Sequence, residues 1–271
     1  MTSTFVVVPE WQASGSTRAM RLVDGAEAIR GDLPSAATRI VEVPIEAGDA
    51  IGTGIPRVSS IAMVRERVQD ALDRVADTPI LIGGDCGSEL GAIEHALRRE
   101  PGMAVVWFDA HCDLNTPETS PSGVFNGMVL RALLGDAPDP LRPATPLQAG
   151  RVLYVGARSI DPGEEAYIAE HGIPVLGADP AALVEAVAAT GATSVYIHVD
   201  LDVLDPAEFT GLEMPEPFGL TGVEVVAAIR ALRERFPLTG AGVTEFSPAS
   251  PADAVEDLPT ILRIVGALAA A

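Results

Sequence analysis

Short, uninterrupted apolar runs alternate along the whole chain with longer Ala-, Leu- and Arg-rich stretches of helical period. The runs fall at residues 5–8, 39–43, 79–82, 103–108, 152–155, 174–176, 195–199 and 241–244. Helical patterns lie between most of them, for example at 58–76, 89–99, 180–190 and 222–236. Runs that are continuous rather than alternating suit strands buried on both faces. Eight of them interleaved with helices predict an α/β fold, a three-layer α/β/α sandwich with a mostly parallel eight-stranded sheet. No internal repeat or low-complexity block interrupts the pattern, and the Pro- and Asp-rich stretch 135–146 reads as a loop. A single domain over residues 1–271 is the simplest organisation.

Polar clusters follow several of these runs, where open α/β sheets gather their chemistry. Gly83-Gly84-Asp85-Cys86 follows the third run and Asp109-Ala110-His111-Cys112-Asp113 the fourth. Residues 158–164 follow the fifth, Asp200-Leu201-Asp202 the seventh and Glu245 the eighth. Side chains two apart on a strand point the same way. Asp109, His111 and Asp113 would therefore converge, as would Asp200 and Asp202. Four carboxylates and an imidazole on one site would repel one another unless cations neutralise them. An oxygen-rich donor set with some imidazole suits Mn-type divalent ions. Two ions roughly 3.5 Å apart could hold a bridging hydroxide, which makes a nucleophile near neutral pH. The two clusters together predict a binuclear metal site and a hydrolase.

Composition narrows the setting. A formal net charge of −20 argues against nucleic acid as a partner. The two cysteines, Cys86 and Cys112, give no disulfide framework. No stretch reaches transmembrane length and the amino terminus lacks a signal pattern, so a cytoplasmic protein with no membrane partner is expected.

Four ordered strings resemble those of the arginase/agmatinase (ureohydrolase) family: Gly83-Gly84-Asp85, residues 109–117, residues 200–206 and Glu245-Phe246-Ser247-Pro248. The likeness runs from about residue 79 to 248; the first 50 residues share only the β/α pattern. The resemblance implies the same sandwich fold and hydrolysis of a guanidino carbon by hydroxide bridging two Mn²⁺ ions. It implies that Asp109 and Asp200 bridge both metals, that His111 and Asp202 complete one site, and that Asp113 and Cys86 complete the other. Glu245 would orient the guanidinium group. Asn115, Ser120 and Ser122 fall where arginases hold an amino-acid carboxylate, and Asp161 and Glu164 where they hold its α-amino group. The family's habit of forming trimers or hexamers implies a homo-oligomer.

Two positions depart from the pattern. Cys86 stands where the family has a histidine ligand, and Asn126, followed by Gly127, stands where arginases carry a proton-shuttling histidine. Asn cannot transfer protons near neutral pH. Thiolate is softer than Mn²⁺ prefers, so the site holding Cys86 should bind its ion more weakly; a small buried filler beside a one-metal site is the other reading of Cys86. A weaker site without a shuttle suits a substrate needing less help. Arginine's guanidinium is effectively always protonated, whereas N-hydroxylation withdraws electrons and exposes a more electrophilic carbon. Nω-Hydroxy-L-arginine is the expected substrate; resemblance to a hydroxyarginine-hydrolysing branch of the family with cysteine at this ligand position, rather than the chemistry alone, raises it above arginine. An arginase, a hydrolase of another guanidino acid and a metal-poor, non-catalytic binding protein remain the alternatives. Cys112 alternates away from the cluster and is expected in the core. His95 and His171 are expected on surface helices or turns, and His198 behind the metal ligands.

Overall fold

The computed structural model describes residues 3–270. Eight strands form one sheet: β1 (Ser3–Val8), β2 (Thr38–Ile40), β3 (Thr78–Gly83), β4 (Ala104–Phe108), β5 (Val152–Val155), β6 (Val175–Leu176), β7 (Val195–Asp200) and β8 (Leu238–Thr244). Their order is β2-β1-β3-β8-β7-β4-β5-β6, and every pairing is parallel. The expected eight runs and their sheet are present; all the strands, rather than most, run the same way. The edge strands are shorter than their apolar runs. The run at 39–43 pairs only through Ile40, with one further bond from the Val41 amide to the Val7 carbonyl. Pro44 then follows, with no N–H to continue the ladder.

Among the described residues, eight α-helices cover the sheet: α1 (Met20–Gly31), α2 (Val58–Leu72), α3 (Glu89–Arg99), α4 (Val129–Leu133), α5 (Pro162–His171), α6 (Pro180–Ala189), α7 (Gly222–Arg235) and α8 (Pro251–Ala269). Strand pleating sends alternate side chains into two cores. Phe5 and Val7 of β1, with Val106 and Phe108 of β4, meet Ile29, Val187, Ile229 and Ile264 from α1, α6, α7 and α8. Val6 and Val8, with Val105 and Trp107, meet Ile61, Ile93 and Leu130 from α2, α3 and α4. Cys112 lies in this second core, as its alternation predicts. Residues 135–146 contain neither helix nor strand. No helix among the described residues is long and apolar enough to cross a membrane.

His95 is a correction. It is 4% exposed, not at the surface. Helix α3 is buried on nearly its whole circumference, from Glu89 to Leu97, because it lies between the sheet and α2. His171, at the end of α5, is exposed as expected.

Candidate metal centre and substrate pocket

The carboxyl ends of β3, β8, β7 and β4, four adjacent strands, supply the charged residues. Trp107 of β4 and Asp109, the first residue after it, are two apart, and the indole Nε1 donates to Asp109 Oδ2 at 2.8 Å. The chain then turns, with the His111 amide donating to Asp109 Oδ1 at 2.6 Å. On β7, His198 and Asp200 have the same parity, and Asp200 Oδ1 accepts the Asp202 amide at 2.8 Å. Each Asp therefore terminates its strand by capping the turn that follows. Asp202 Oδ1 accepts the Ala110 amide at 3.0 Å, and Asp202 Oδ2 lies 2.9 Å from His111 Nδ1. The two clusters read separately in sequence are tied together here.

After β3, Gly84 brings the backbone against residue 10. A Cβ there would lie 1.9 Å from the Glu10 carbonyl oxygen, so only glycine fits. Asp85 is fully buried and accepts the amides of Ala13 (2.8 Å), Ser14 (3.2 Å) and Gly87 (2.9 Å), which fixes the turn carrying Cys86. The Cys86 thiol donates to Asp200 Oδ2 at 3.2 Å and lies 3.8 Å from His198 Nε2. The Cys86 amide donates to Glu245 Oε1 at 3.1 Å. Two site carboxylates sit on left-handed backbone, Asp113 at φ 51° and Glu245 at φ 65°. Non-glycine residues rarely hold such angles, and they gather at functional sites.

Donor atoms converge in two overlapping groups, each within 4.8 Å: Asp109, His111 and Asp202; and Cys86, Asp109, His198 and Asp200. Asp109 belongs to both. Asp113 is in neither group, although it borders the same cavity and its buried Oδ2 has no hydrogen-bond partner. Burial drives the carboxyls of Asp113, Asp200 and Glu245 well above the usual range, reinforced by the neighbouring acids. Burial and the Asp202 charge push Asp109 up to about 6. Burial works against a charged His111, but its bonds to Asp109 and Asp202 dominate and push it up to about 12. Burial likewise opposes ionised Asp202, and the His111 contact more than offsets it, so its carboxyl is lowered. Such a concentration of buried acid, with an unpaired oxygen and one imidazolium, lacks cationic charge. Oxygen donors with imidazole and one thiol fit two divalent ions sharing Asp109.

Above these donors opens a cavity of about 270 Å³. Every candidate residue from the sequence borders it except Asp109, which is fully buried beneath. Asn115 donates to Asp161 Oδ2 at 2.8 Å and accepts from Thr119 through its carbonyl oxygen at 2.9 Å. Ser120 and Ser122 face each other at 3.3 Å on the rim. Asn126 accepts its neighbour Gly127's amide at 3.0 Å. Glu164 is 3% exposed, and both its oxygens already accept backbone amides, from Leu114 and Asp161, each at 2.9 Å. It builds the start of α5, leaving Asp161 the freer of the two carboxylates. Sequence reasoning missed Ser159, Met214 and Glu216, which also border the cavity. They lie in loops without a motif, and only the Arg158-Ser159 string after the fifth run pointed near them.

A profile of the arginase family matches residues 21–260. An arginase of Bacillus caldovelox is 31% identical over 219 residues, 75% of this chain and 72% of that protein. The N(omega)-hydroxy-L-arginine amidinohydrolase of Streptomyces lavendulae is 27% identical over 262 residues, 94% of this chain and 90% of that protein. The crystal structure of Entamoeba histolytica arginase in complex with L-ornithine superposes with a TM-score of 0.87 at 23% identity. It covers 99% of this chain and 98% of the other. With its all-parallel sheet and paired acidic strand ends, this chain belongs to the arginase family and is a ureohydrolase.

Proposed function

We propose that the protein hydrolyses Nω-hydroxy-L-arginine to hydroxyurea and L-ornithine, with two Mn²⁺ ions. The observation that carries the reading is the Cys86 thiol, seated against Asp200 in the donor ring where the family has an imidazole. The similarity to a hydroxyarginine amidinohydrolase over 94% of the chain supports it. So does the resemblance to the enzyme of that activity in D-cycloserine biosynthesis, which also has a cysteine at this position. When bound, the ions would supply a hydroxide nucleophile and polarise the guanidino carbon.

The chain's own residues bind and orient. Cys86, Asp109, His111, Asp113, Asp200 and Asp202 hold the ions. Glu245 presents its carboxylate to the guanidino group from the cavity floor. Asp161, braced by Asn115, takes the α-amino group, and Asn115, Ser120 and Ser122 take the carboxylate. Glu164 contributes charge and shapes the turn. Asn126 borders the reacting end without a titratable group, so an already neutral N-hydroxyguanidine suits this pocket better than a guanidinium. The whole chain works as one metallohydrolase domain and assembles as a homo-oligomer.

The test is ornithine release, with Mn²⁺, from Nω-hydroxy-L-arginine and L-arginine side by side. Faster release from the hydroxylated substrate supports the proposal. The 31% identity to an arginase favours arginine as the second reading, and faster release from arginine would establish it. No ornithine from either would turn attention to other guanidino acids or to a binding role.

A further inference from the structure

Behind Cys86 lies a second imidazole whose surroundings are built as those of a metal ligand. His198 is completely buried at the end of β7, one residue before Val199 and two before Asp200. Its ring stacks on Trp107 of the neighbouring strand, with centroids 3.7 Å apart and planes 24° from parallel. The same Trp107 anchors Asp109. The stacking fixes the plane of the ring, and its two nitrogens face two different places. Nε2 looks into the donor group, 3.8 Å from Cys86 Sγ. Donors held about 2 Å from a common ion stand roughly 3–4 Å apart, so this spacing is that of two ligands sharing one ion.

Nδ1 faces the other way, toward Glu89 at the start of α3. Its distance to Glu89 Oε1 is 3.8 Å, and neither atom has a hydrogen-bond partner. Both residues are wholly buried. The other oxygen of Glu89 accepts the Tyr196 hydroxyl at 2.7 Å, which aims the carboxylate. Space for it comes from Gly242, the register partner of His198 on β8: a Cβ at Gly242 would fall 1.3 Å from Glu89 Oε1. A fully buried carboxylate with no cation, reached through a missing side chain and facing an imidazole, is costly unless the imidazole carries a proton on that side. A proton on Nδ1 leaves the lone pair of Nε2 pointed at the donor group. Carboxylate, imidazole and metal in series is the usual way a ligating histidine is oriented.

We propose that His198 is a metal ligand through Nε2, oriented by Glu89, and that it supplies to the Cys86 half of the centre the imidazole that position 86 does not. Glu89 is a positioning residue. The inference rests on the reading of this site as a metal centre. It also changes what Cys86 means. The substitution at 86 does not remove nitrogen from that half of the centre; it moves it from the β3 turn to β7 and adds a sulfur.

The experiment is metal binding by the full-length protein, stripped with chelator and titrated with Mn²⁺, with bound ions counted and affinities measured by calorimetry. A parallel titration with Co²⁺ follows the thiolate-to-cobalt charge-transfer band of Cys86. Wild type should bind two equivalents. His198→Asn keeps a polar group near Nδ1 but removes Nε2; it should lose one equivalent, or bind it at least ten-fold more weakly, with an altered Co²⁺ band. Glu89→Gln should weaken the same equivalent about 10- to 100-fold, the usual effect of removing a ligand's orienting partner. Adding Cys86→His to His198→Asn should restore the second equivalent, because it returns an imidazole to the same ion. Two equivalents at wild-type affinity in His198→Asn would overturn the assignment. Failure of the added histidine to restore binding in a variant with wild-type circular dichroism would do so too. Wild type that binds no metal would instead refute the metallohydrolase reading itself, which separates the two failures.

Discussion

Arg158 offers a test of how the Asp202 side of the centre is held, because among the described residues its guanidinium bonds to no carboxylate. It donates instead to backbone carbonyls. Four contacts are 3.1 Å or shorter: Nε to Pro217, Nη1 to Gly156, and Nη2 to Asp202 and Glu216, the last two at 2.8 Å. Val203 and Leu204 lie slightly farther, at 3.3 and 3.4 Å. One planar fork thus straps the turn carrying Asp202 to the loop carrying Glu216. Arg158→Lys keeps the charge and loses the fork. A single ammonium at the end of a stem can satisfy about two of the four short contacts. The remaining two, as charge-assisted bonds at the lower end of their range, are worth about 1.5 kcal/mol each, or roughly 3 kcal/mol together. For a chain of this size that corresponds to a fall of about 6 °C or more in Tm. The measurement is thermal unfolding in the presence of chelator, since bound ions would add their own stabilisation. A Tm within about 2 °C of wild type would show that these carbonyls are equally well served by water, and that Arg158 does not hold the turn.

Asp109→Ala and Asp200→Ala should each reduce ornithine release to background, since Asp109 belongs to both donor groups and Asp200 completes the one that holds Cys86; retained turnover in either would remove the binuclear reading. Cys86→His alone should tighten Mn²⁺ binding and shift the substrate ratio toward unmodified arginine; an unchanged ratio and affinity would show that the thiol is no ligand. Gly242→Ala should destabilise the fold by about 2 kcal/mol or more in a urea melt, because the new methyl group occupies the place of Glu89 Oε1 inside the central strand. His95 gives the pH dependence. Burial lowers its pKa, and the adjacent Arg98 and Arg99 outweigh Asp73. The folded chain therefore binds fewer protons than the unfolded one just below the ordinary histidine value of about 6.5, so stability falls as the solution is acidified through that range. His95→Gln should flatten the Tm profile between roughly pH 5 and 7, and an unchanged slope would assign it to other groups.

The parts legible in the sequence are those fixed by local pattern. β4 and β7 are continuous apolar runs followed by acidic or imidazole side chains at two-residue spacing, so strand, strand end and candidate ligands could be read together. The edge strands were overestimated because an apolar run does not report how far the one neighbouring strand accompanies it; Ile40 of β2 is in fact 56% exposed. The residue at 86 stood out only against a family pattern; in isolation a buried cysteine is ordinary. What stayed hidden depends on contacts between distant segments. His95 looked like a surface histidine because α3 has polar residues at helical spacing, and its burial comes from α2 packed on its outer face. Glu89 is unremarkable in sequence, and His198 is expected there only behind the ligands; the two meet because Gly242 leaves room between β7 and α3. The function of Arg158 left no trace at all, since its acceptors are carbonyls that every residue possesses.

The strand order has a consequence for how the chain is made. β1 to β4 are complete once residue 108 has been synthesised, yet β3 and β4 are not neighbours: β8 and β7 lie between them. An emerging amino-terminal half thus has β4 without either of its partners, exposing a wholly apolar strand with two open edges. It has Cys86, Asp109, His111 and Asp113 but not the strands that bring them together. The sheet closes last at its centre, when β8 inserts between β3 and β7, and Glu245 arrives with it. A nascent chain of this topology has to wait for its final quarter before its candidate donor residues are enclosed by a complete sheet, and its vulnerable interval on the ribosome is the long one between β4 and β8.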